Sequence, residues 1–261
     1  MAVKKRTGLA SMDISISVVS HSQIALVAEL LRGLEQHCSN SSFELILTLN
    51  QDETLPFVLD RFAYPVKLVR NINHQGFGAN HNQAFRQAAG RYFCVMNPDI
   101  RLNSNPFAAL LSCIEKVPSG VIAPRVMNEN GGLEDSARRF PTPFRILCKV
   151  FGGGLAQDYA IDRAPIYPDW VGGMFMLFPR DVFERLGGFD ERYFLYYEDV
   201  DICARLRLSG HEAVLCPQAA VVHHAQRHSH RNFRYLGWHL KSMVRFFLSP
   251  VYRRLRSRLE P

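Results

Sequence analysis

Between residues 13 and 100 the chain alternates between two hydrophobic periods, and this alternation restricts the fold more than any other feature. "DISISVVS" (13–20) has a period of two and predicts a strand, whereas "QIALVAELLRGLEQH" (23–37) carries its apolar residues at helical spacing. "FELILTLN" (43–50) and "PVKLVRN" (65–71) read as further strands. "NHQGFGANHNQAFRQAAG" (73–90) is a Gly-punctuated loop entering a helix that closes at Gly90, and "RYFCVMNPDI" (91–100) is an apolar strand ending in polar residues. Strands and helices that alternate over short connections predict an α/β domain, a parallel sheet with helices on both faces. Ligands of such sheets bind beyond the carboxyl ends of the strands. That rule selects Ser20, residues 50–52, residues 71–82 and residues 97–99.

After Pro106 the pattern loosens. "FAALLSCIEKV" is helical in spacing and "GVIAPRVM" is a strand, but 131–168 is rich in Gly, Pro and Arg with little periodicity, as in functional loops or flexible segments. Order returns over 169–191 with a strand at 174–178 and a short helix, and 212–225 supplies two strand-like pieces. With 261 residues, 47% of them hydrophobic, the chain can bury one sizeable core. The expected organisation is an N-terminal extension (1–12), one domain (13–230) and a C-terminal tail (231–261). No apolar run reaches the length of about 18 residues needed to span a bilayer. No signal-peptide core follows the basic start, so a cytoplasmic protein is predicted. Six scattered cysteines without a CxxC pair predict reduced core thiols.

Three stretches carry candidate chemistry. In "VMNPDI" a strand ending at Met96 presents Asn97 and Asp99 at the mouth of the sheet, where Asp99 can ligate a hard cation such as Mg²⁺ or Mn²⁺. An ordinary Asn-Pro-Asp turn fits the same spacing. In "NHQGFGANHNQAF" the GxG around Gly76 allows a ligand to approach the backbone closely, and Asn80 and Asn82 add amides at a helix start. "FLYYEDVDICARLRLSG" (194–210) opens a helix of about three turns with Glu198, Asp199 and Asp201, which complement the helix dipole by roughly 0.3–1 kcal/mol each. Capping accounts for acids on a wet surface. It does not account for Phe194 to Tyr197 beside them, since burying an unpartnered carboxylate is costly. "VVHHAQRHSHR" adds His223, His224, His228 and His230, imidazoles suited to a metal or to a solvated tail.

The succession of "SVVSHS", "NHQGFGANHN", "MNPD", "WVGGMFMLFPRDVFERLGGFDERYFLYYEDVDICARLRLSG" and "VVHHAQRHS" resembles the family 2 glycosyltransferases, and within them the bacterial rhamnosyltransferase-like members. The resemblance covers roughly Asp13 to Phe247. It implies a GT-A fold, with a mixed, mostly parallel sheet, and an inverting transfer of a sugar from a nucleotide-diphosphate donor. It implies Asp199 as the catalytic base and Asp99 as a metal ligand for Mg²⁺ or Mn²⁺, with Asn97 where relatives carry the first acid of a DxD motif. His223 completes the metal or diphosphate site in this comparison, and its neighbour His224 leaves that choice open. Trp170, Gly172 and Gly173 resemble the segment that shapes the sugar pocket, Glu198 falls to acceptor binding, and Asp201 to capping or an Arg205 pair. Ser20, Gln51, Asp52 and Asn71 stand where relatives hold the nucleotide, joined by Gly76 and Asn80. The implied donor is dTDP-rhamnose, with another sugar nucleotide such as a UDP-sugar as the alternative. The implied acceptor is a lipid-linked or saccharide precursor of bacterial surface polysaccharide. Asn97 and the displaced acid at Asp52 also fit a catalytically silent sugar-nucleotide-binding relative.

The formal charge is +7, and the eight Arg or Lys against one acid from Arg231 onward account for all of it. Leu236, Leu240, Met243 and Phe247 form an apolar helical stripe beside Lys241 and Arg245. A basic amphipathic helix predicts contact with an anionic membrane surface, and the resemblance implies that this is the cytoplasmic face of the inner membrane. Packing on the domain or on a second copy in a homodimer is the other reading of the stripe. No nucleic-acid-binding module is recognised, so nucleic acid is not an expected partner.

Overall fold

A computed structural model describes residues 13–117, 119–151, 157–224 and 233–259. The predicted N-terminal extension, His228 and His230 lie outside these residues. In chain order the elements are β1 (Ile14–Ser20), α1 (Ile24–His37), β2 (Phe43–Leu49), β3 (Val66–Arg70), α2 (Phe77–Phe85), β4 (Tyr92–Met96), β5 (Ile100–Arg101), α3 (Phe107–Lys116) and β6 (Val121–Asn128). There follow β7 (Ala137–Arg138), α4 (Pro143–Phe151), β8 (Trp170–Val171), β9 (Phe175–Pro179), α5 (Arg180–Arg185), α6 (Glu198–Leu208), β10 (Ala213–His223), α7 (Phe233–Leu248) and α8 (Pro250–Leu259).

Eight strands form one sheet in the order β3-β2-β1-β4-β9-β6-β10-β5, and β7 pairs with β8 in a separate ribbon. β1 runs parallel to β2 and β4, β2 parallel to β3, and β6 parallel to β10. β9 lies antiparallel between β4 and β6, and β5 antiparallel to β10. The sheet is therefore mixed and mostly parallel. Alternation along β1 sends Ile14, Ile16 and Val18 to the face covered by Val27, Leu30, Leu31 and Leu34 of α1. On the other face Phe93, Val95, Met176 and Phe178 pack with Phe183, Ile202 and Leu206 from α5 and α6. Each such side chain, fully buried, contributes roughly 1.5–3 kcal/mol. The register pairs Ser20 with Leu49 and Val18 with Met96, so the carboxyl ends of β1, β2 and β4 open along one edge.

Several local expectations are corrected. The helix expected to close at Gly90 ends at Phe85, whereas the strand within 91–100 ends at Met96 as expected, with the two-residue β5 following. The two pieces expected over 212–225 are one strand, β10, whose register shifts between Cys216 and Ala220 around Pro217. A proline has no N–H for the ladder, and a bulge accommodates it. The segment expected to be irregular, 131–168, contains β7 and α4. Cys38, Cys94, Cys113, Cys203 and Cys216 are buried free thiols, as expected.

The C-terminal helices pack on the domain. Phe246 of α7 and Leu255 of α8 are buried in the same cluster as Tyr197 and Leu206, and Ser242 Oγ donates to Leu195 O at 2.9 Å. Ser249 Oγ accepts from Tyr252 N at 3.0 Å and Pro250 opens α8, both favourable at a helix start. The predicted stripe on α7 divides: Met243 and Phe247 rest on the core, whereas Leu236 and Leu240 are exposed. No helix among the described residues is long and apolar enough to cross a membrane.

Candidate active site

Three groups of predicted residues meet along the carboxyl edge of the sheet. Ser20 ends β1 and its Oγ donates to Glu53 Oε2 at 2.9 Å, while Ser22 N and Ile24 N donate to the same carboxylate. The acid turned into this corner is therefore Glu53, which sequence reasoning missed; Asp52 and Gln51 are exposed at its rim. Asn71 Nδ2 donates to Asn50 Oδ1 at 2.9 Å and to Asn80 Oδ1 at 2.6 Å, and Asn80 Nδ2 donates to Gly76 O at 2.8 Å. These amides brace the loop before α2. Gly76 was expected to admit a ligand. A Cβ there would meet Phe194 O at 2.7 Å, so its close approach is to the protein's own backbone. Asn71 Oδ1 is buried without a hydrogen-bond partner and keeps a lone pair for a ligand.

The second group lies where β4 gives way to β5. Antiparallel pairing of β5 with the end of β10 places His223 opposite Ile100, and His224 N donates to Asp99 O at 2.9 Å. His223 Nε2 lies 3.2 Å from Asp99 Oδ2, and its Nδ1 lies 2.8 Å from Glu134 Oε2. Burial lowers the imidazole pKa, but the bonds and charges of Asp99 and Glu134 outweigh it, and the net position is raised to about 8. His224 is turned outward and pairs with Glu129. Asp99 Oδ1 is buried without a hydrogen-bond partner. An aspartate with a free lone pair beside a histidine fits Mg²⁺ or Mn²⁺, whose remaining positions phosphates and water can fill. Glu134 bonds the far ring nitrogen and so orients the histidine rather than adding a ligand. Among the described residues no group of three or more His, Cys, Asp or Glu forms a ready metal cage.

The third group surrounds the start of α6. Tyr196 and Tyr197 both adopt φ of 69°, a left-handed conformation that costs a bulky residue on the order of 1–3 kcal/mol and persists only where surroundings enforce it. His239 of α7 packs against both rings at 5.3 and 5.5 Å, and Phe246 lies 5.7 Å from Tyr197. This bend swings the first turn of α6 so that Asp199 Oδ2 accepts from Gly173 N at 3.1 Å and Oδ1 from Val200 N at 2.9 Å. Burial raises the Asp199 pKa, and those two amides and Arg138 oppose the rise. Glu198 is raised too, by burial and then by the charge of Asp199, and its Oε2 has no hydrogen-bond partner. Asp201 pairs with Arg205 Nε at 2.7 Å, one of its two anticipated roles.

Asp199 and Glu198 open into a cavity of about 510 Å³ shared with Trp170, Gly172, Gly173 and Met174, all but Met174 anticipated. Arg138, Arg145, Tyr196, Tyr197 and His239 also line it and were not. Trp170 is fixed by Nε1 donating to Arg139 O at 3.0 Å, with the Arg138 guanidinium 5.3 Å from its ring. The neighbouring residues Gly173 and Met174 join cavity and cleft: Gly173 N holds Asp199, and Met174 O accepts from Asn97 N at 2.9 Å. A carboxylate held by amides, an aromatic wall and an adjacent acid–imidazole pair together equip the edge for deprotonating a hydroxyl beside a phosphorylated ligand.

A mixed sheet of this order with such a site defines a glycosyltransferase of the GT-A fold. The chain belongs to glycosyl transferase family 2: that family's model matches residues 15–186, and one described as glycosyltransferase like family 2 matches residues 168–245. It is 30% identical over 249 residues to Rhamnosyltransferase WbbL of Escherichia coli (strain K12), covering 88% of this chain and 91% of that one. It is 30% identical over 206 residues to N-acetylglucosaminyl-diphospho-decaprenol L-rhamnosyltransferase of Mycobacterium tuberculosis (strain ATCC 25618 / H37Rv), covering 70% and 67%. Among solved structures, GalNAc-T7 with UDP, GalNAc and Mn²⁺ matches with a TM-score of 0.69 at 17% identity, over 90% of this chain and 47% of that one. The mannosyltransferase PcManGT from Pyrobaculum calidifontis with GDP-Man and Mn²⁺ matches with a TM-score of 0.61 at 17% identity, over 93% and 68%. At that identity the structural likeness speaks for the fold alone.

Proposed function

We propose that the protein is an inverting rhamnosyltransferase that moves L-rhamnose from dTDP-rhamnose to a lipid-linked saccharide acceptor in surface polysaccharide synthesis. The observation that carries the reading is the position of Asp199 in the cavity wall, linked through Gly173 and Met174 to Asn97 at the edge of the cleft with Asp99 and His223. Both 30%-identical relatives are named as rhamnosyltransferases, and one name specifies a diphospho-decaprenol acceptor.

In this mechanism the acceptor sugar lies on Trp170 with its hydroxyl toward Asp199. Asp199 takes the hydroxyl proton as the oxygen attacks the anomeric carbon from the face opposite the diphosphate. The bond from that carbon to the diphosphate oxygen breaks, its electron pair leaves with the nucleotide, and the anomeric centre inverts. Positioned base catalysis of this kind contributes on the order of 10²–10⁴ in rate. Asp99 and His223 would hold Mg²⁺ or Mn²⁺, with Asn97 beside them, and Glu134, bonded to His223 Nδ1, would leave the Nε2 lone pair free for the ion. A divalent cation there supplies charge neutralisation for the departing diphosphate. Ser20, Gln51, Asp52 and Asn71 border the nucleotide, with Gly76 and Asn80 bracing the loop beside it, and Glu198 contacts the acceptor.

Turnover of dTDP-rhamnose, UDP-sugars and GDP-sugars, with Mg²⁺ or Mn²⁺ and a lipid-linked acceptor, tests the reading, with the product's anomeric configuration read by NMR. The proposal expects transfer from dTDP-rhamnose with inversion. Retention of configuration, or preference for another nucleotide sugar, contradicts it. Binding of a sugar nucleotide without any turnover would make the chain a silent relative.

A further inference from the structure

The cavity at Asp199 is lined by two helices, α4 and α7, that also expose apolar side chains. α4 contributes Arg145 and Ile146 to the lining and α7 contributes His239 and Met243. Their immediate chain neighbours turn to solvent: Phe144 and Leu147 on α4 are 73% and 55% exposed, and Leu240 and Val244 on α7 are 46% and 52% exposed. An exposed apolar surface on both sides of one cavity mouth is a recognisable mark of a site that takes a ligand from an apolar phase. Three guanidinium-bearing residues, Arg138, Arg139 and Arg145, line the same cavity. Arg138 is paired with Asp135 at 2.9 Å, Arg145 with Asp158, and Arg139 lies over the Tyr159 ring at 5.7 Å. Two of the three guanidinium groups are thus held by carboxylates, whereas that of Arg139 has no carboxylate partner among the described residues, and the planar guanidinium matches a phosphate in geometry. Arg138 is close enough to Asp199 to oppose the rise in its pKa.

One cavity thus brings together a carboxylate with an aromatic platform, arginines, and helices that expose apolar side chains. Those are the parts needed by one class of molecule, a sugar joined through phosphate to a long hydrocarbon chain. We propose that Arg138, Arg139 and Arg145 hold the phosphate or diphosphate of such an acceptor, while its chain leaves between α4 and α7 along Phe144, Leu147, Leu240 and Val244. This assignment rests on the glycosyltransfer reading above and names the acceptor subsite of that same site. Lys241, exposed on α7, adds attraction to an anionic membrane in which the acceptor resides.

Farnesyl diphosphate, inorganic pyrophosphate and farnesol serve as probes of the purified protein, with binding read from Trp fluorescence, since Trp170 lines the cavity. The proposal expects farnesyl diphosphate to bind at least about tenfold more tightly than either fragment, because both subsites are filled at once. Arg139→Gln should weaken farnesyl diphosphate and pyrophosphate several-fold without changing farnesol. The pair Leu240→Ser and Val244→Ser should weaken farnesyl diphosphate and farnesol without changing pyrophosphate. These side chains are exposed, so an unchanged melting temperature accompanies the expected result. Wild-type affinity in both variants, or displacement of farnesyl diphosphate by thymidine diphosphate, overturns the proposal, the latter because the probe would then occupy the donor cleft. Donor binding is measured in the same samples with thymidine diphosphate and Mn²⁺. Protein that binds no nucleoside diphosphate contradicts the glycosyltransfer reading, whereas protein that binds it but is indifferent to the rim substitutions contradicts only the acceptor subsite.

Discussion

The backbone amide of Gly173 donates to Asp199 Oδ2 at 3.1 Å, across 26 positions of sequence, and fixes the direction of the carboxylate at the cavity wall. A Cβ on Gly173 would lie 3.3 Å from the Phe77 ring and 3.7 Å from Asp199 Cβ. Gly173→Ala therefore needs either Phe77 to yield by a few tenths of an ångström or the Gly173 backbone to shift, which moves the amide that holds the Asp199 carboxylate. Turnover should fall on the order of 10- to 100-fold, as expected for small misplacements of a catalytic group. The melting temperature should change little, and kcat unaltered from wild type would count against this role of the contact.

Glu134 holds His223 from the side opposite Asp99. Replacing it by Gln removes a charge that raises the imidazole pKa, so in metal-free protein the His223 titration, followed by NMR, should move down from about 8. Losing such an orienting partner typically costs 10- to 100-fold in metal affinity or activity, by general experience with metal-bound histidines. The concentration of Mn²⁺ needed for half-maximal turnover in Glu134→Gln should rise by about that factor. An unchanged metal response would detach Glu134 from the site.

His81 is a buried residue of α2, with Nδ1 2.8 Å from Ser17 Oγ, and burial lowers its pKa to about 3. Its folded value is depressed below the unfolded one, so its stabilisation is full above about pH 6.5 and is lost as pH falls toward 3. The slope is about 1.4 kcal/mol per pH unit. Urea unfolding at pH 6.5 and pH 5 should show wild type losing about 2 kcal/mol more than His81→Gln. Equal losses in the two proteins would mean that His81 takes up protons in the folded state.

Phe246 is fully buried, and its ring lies 5.7 Å from that of Tyr197. Phe246→Ala should destabilise by about 3–5 kcal/mol. It should also reduce turnover at temperatures where the fold persists, because the left-handed pair at 196–197 loses one of its supports. Normal turnover in the folded variant would show that α7 is dispensable to the site.

The β1–β4 half of the sheet was legible because its strands and helices carry clean periods, and because ligands of open sheets gather at one edge. That reasoning led to Ser20, Asn71 and Asp99 without any knowledge of side-chain contacts. Glu198, Asp199 and Asp201 stood out because three acids followed an aromatic run, and the family resemblance then singled out Asp199 among them. Glu134, Arg138 and Arg145 were not legible, for they come from the aperiodic stretch after Gly131, and Glu134 meets His223 only across 89 positions. Asp52 and Glu53 are neighbours in a loop, and only the turn after β2 decides which one faces Ser20. Nor could a period disclose two consecutive tyrosines at φ of 69°, since that bend is imposed by His239 and Phe246 from the far end of the chain.

The central claim is that Asp199 is the base. The measurement that tests it most directly is the rate of rhamnosyl transfer by Asp199→Asn, with donor affinity and melting temperature determined on the same preparation. The account predicts a fall in kcat on the order of 10²-fold or more, with donor affinity and melting temperature close to wild type. Transfer at the wild-type rate in a folded Asp199→Asn protein would contradict it.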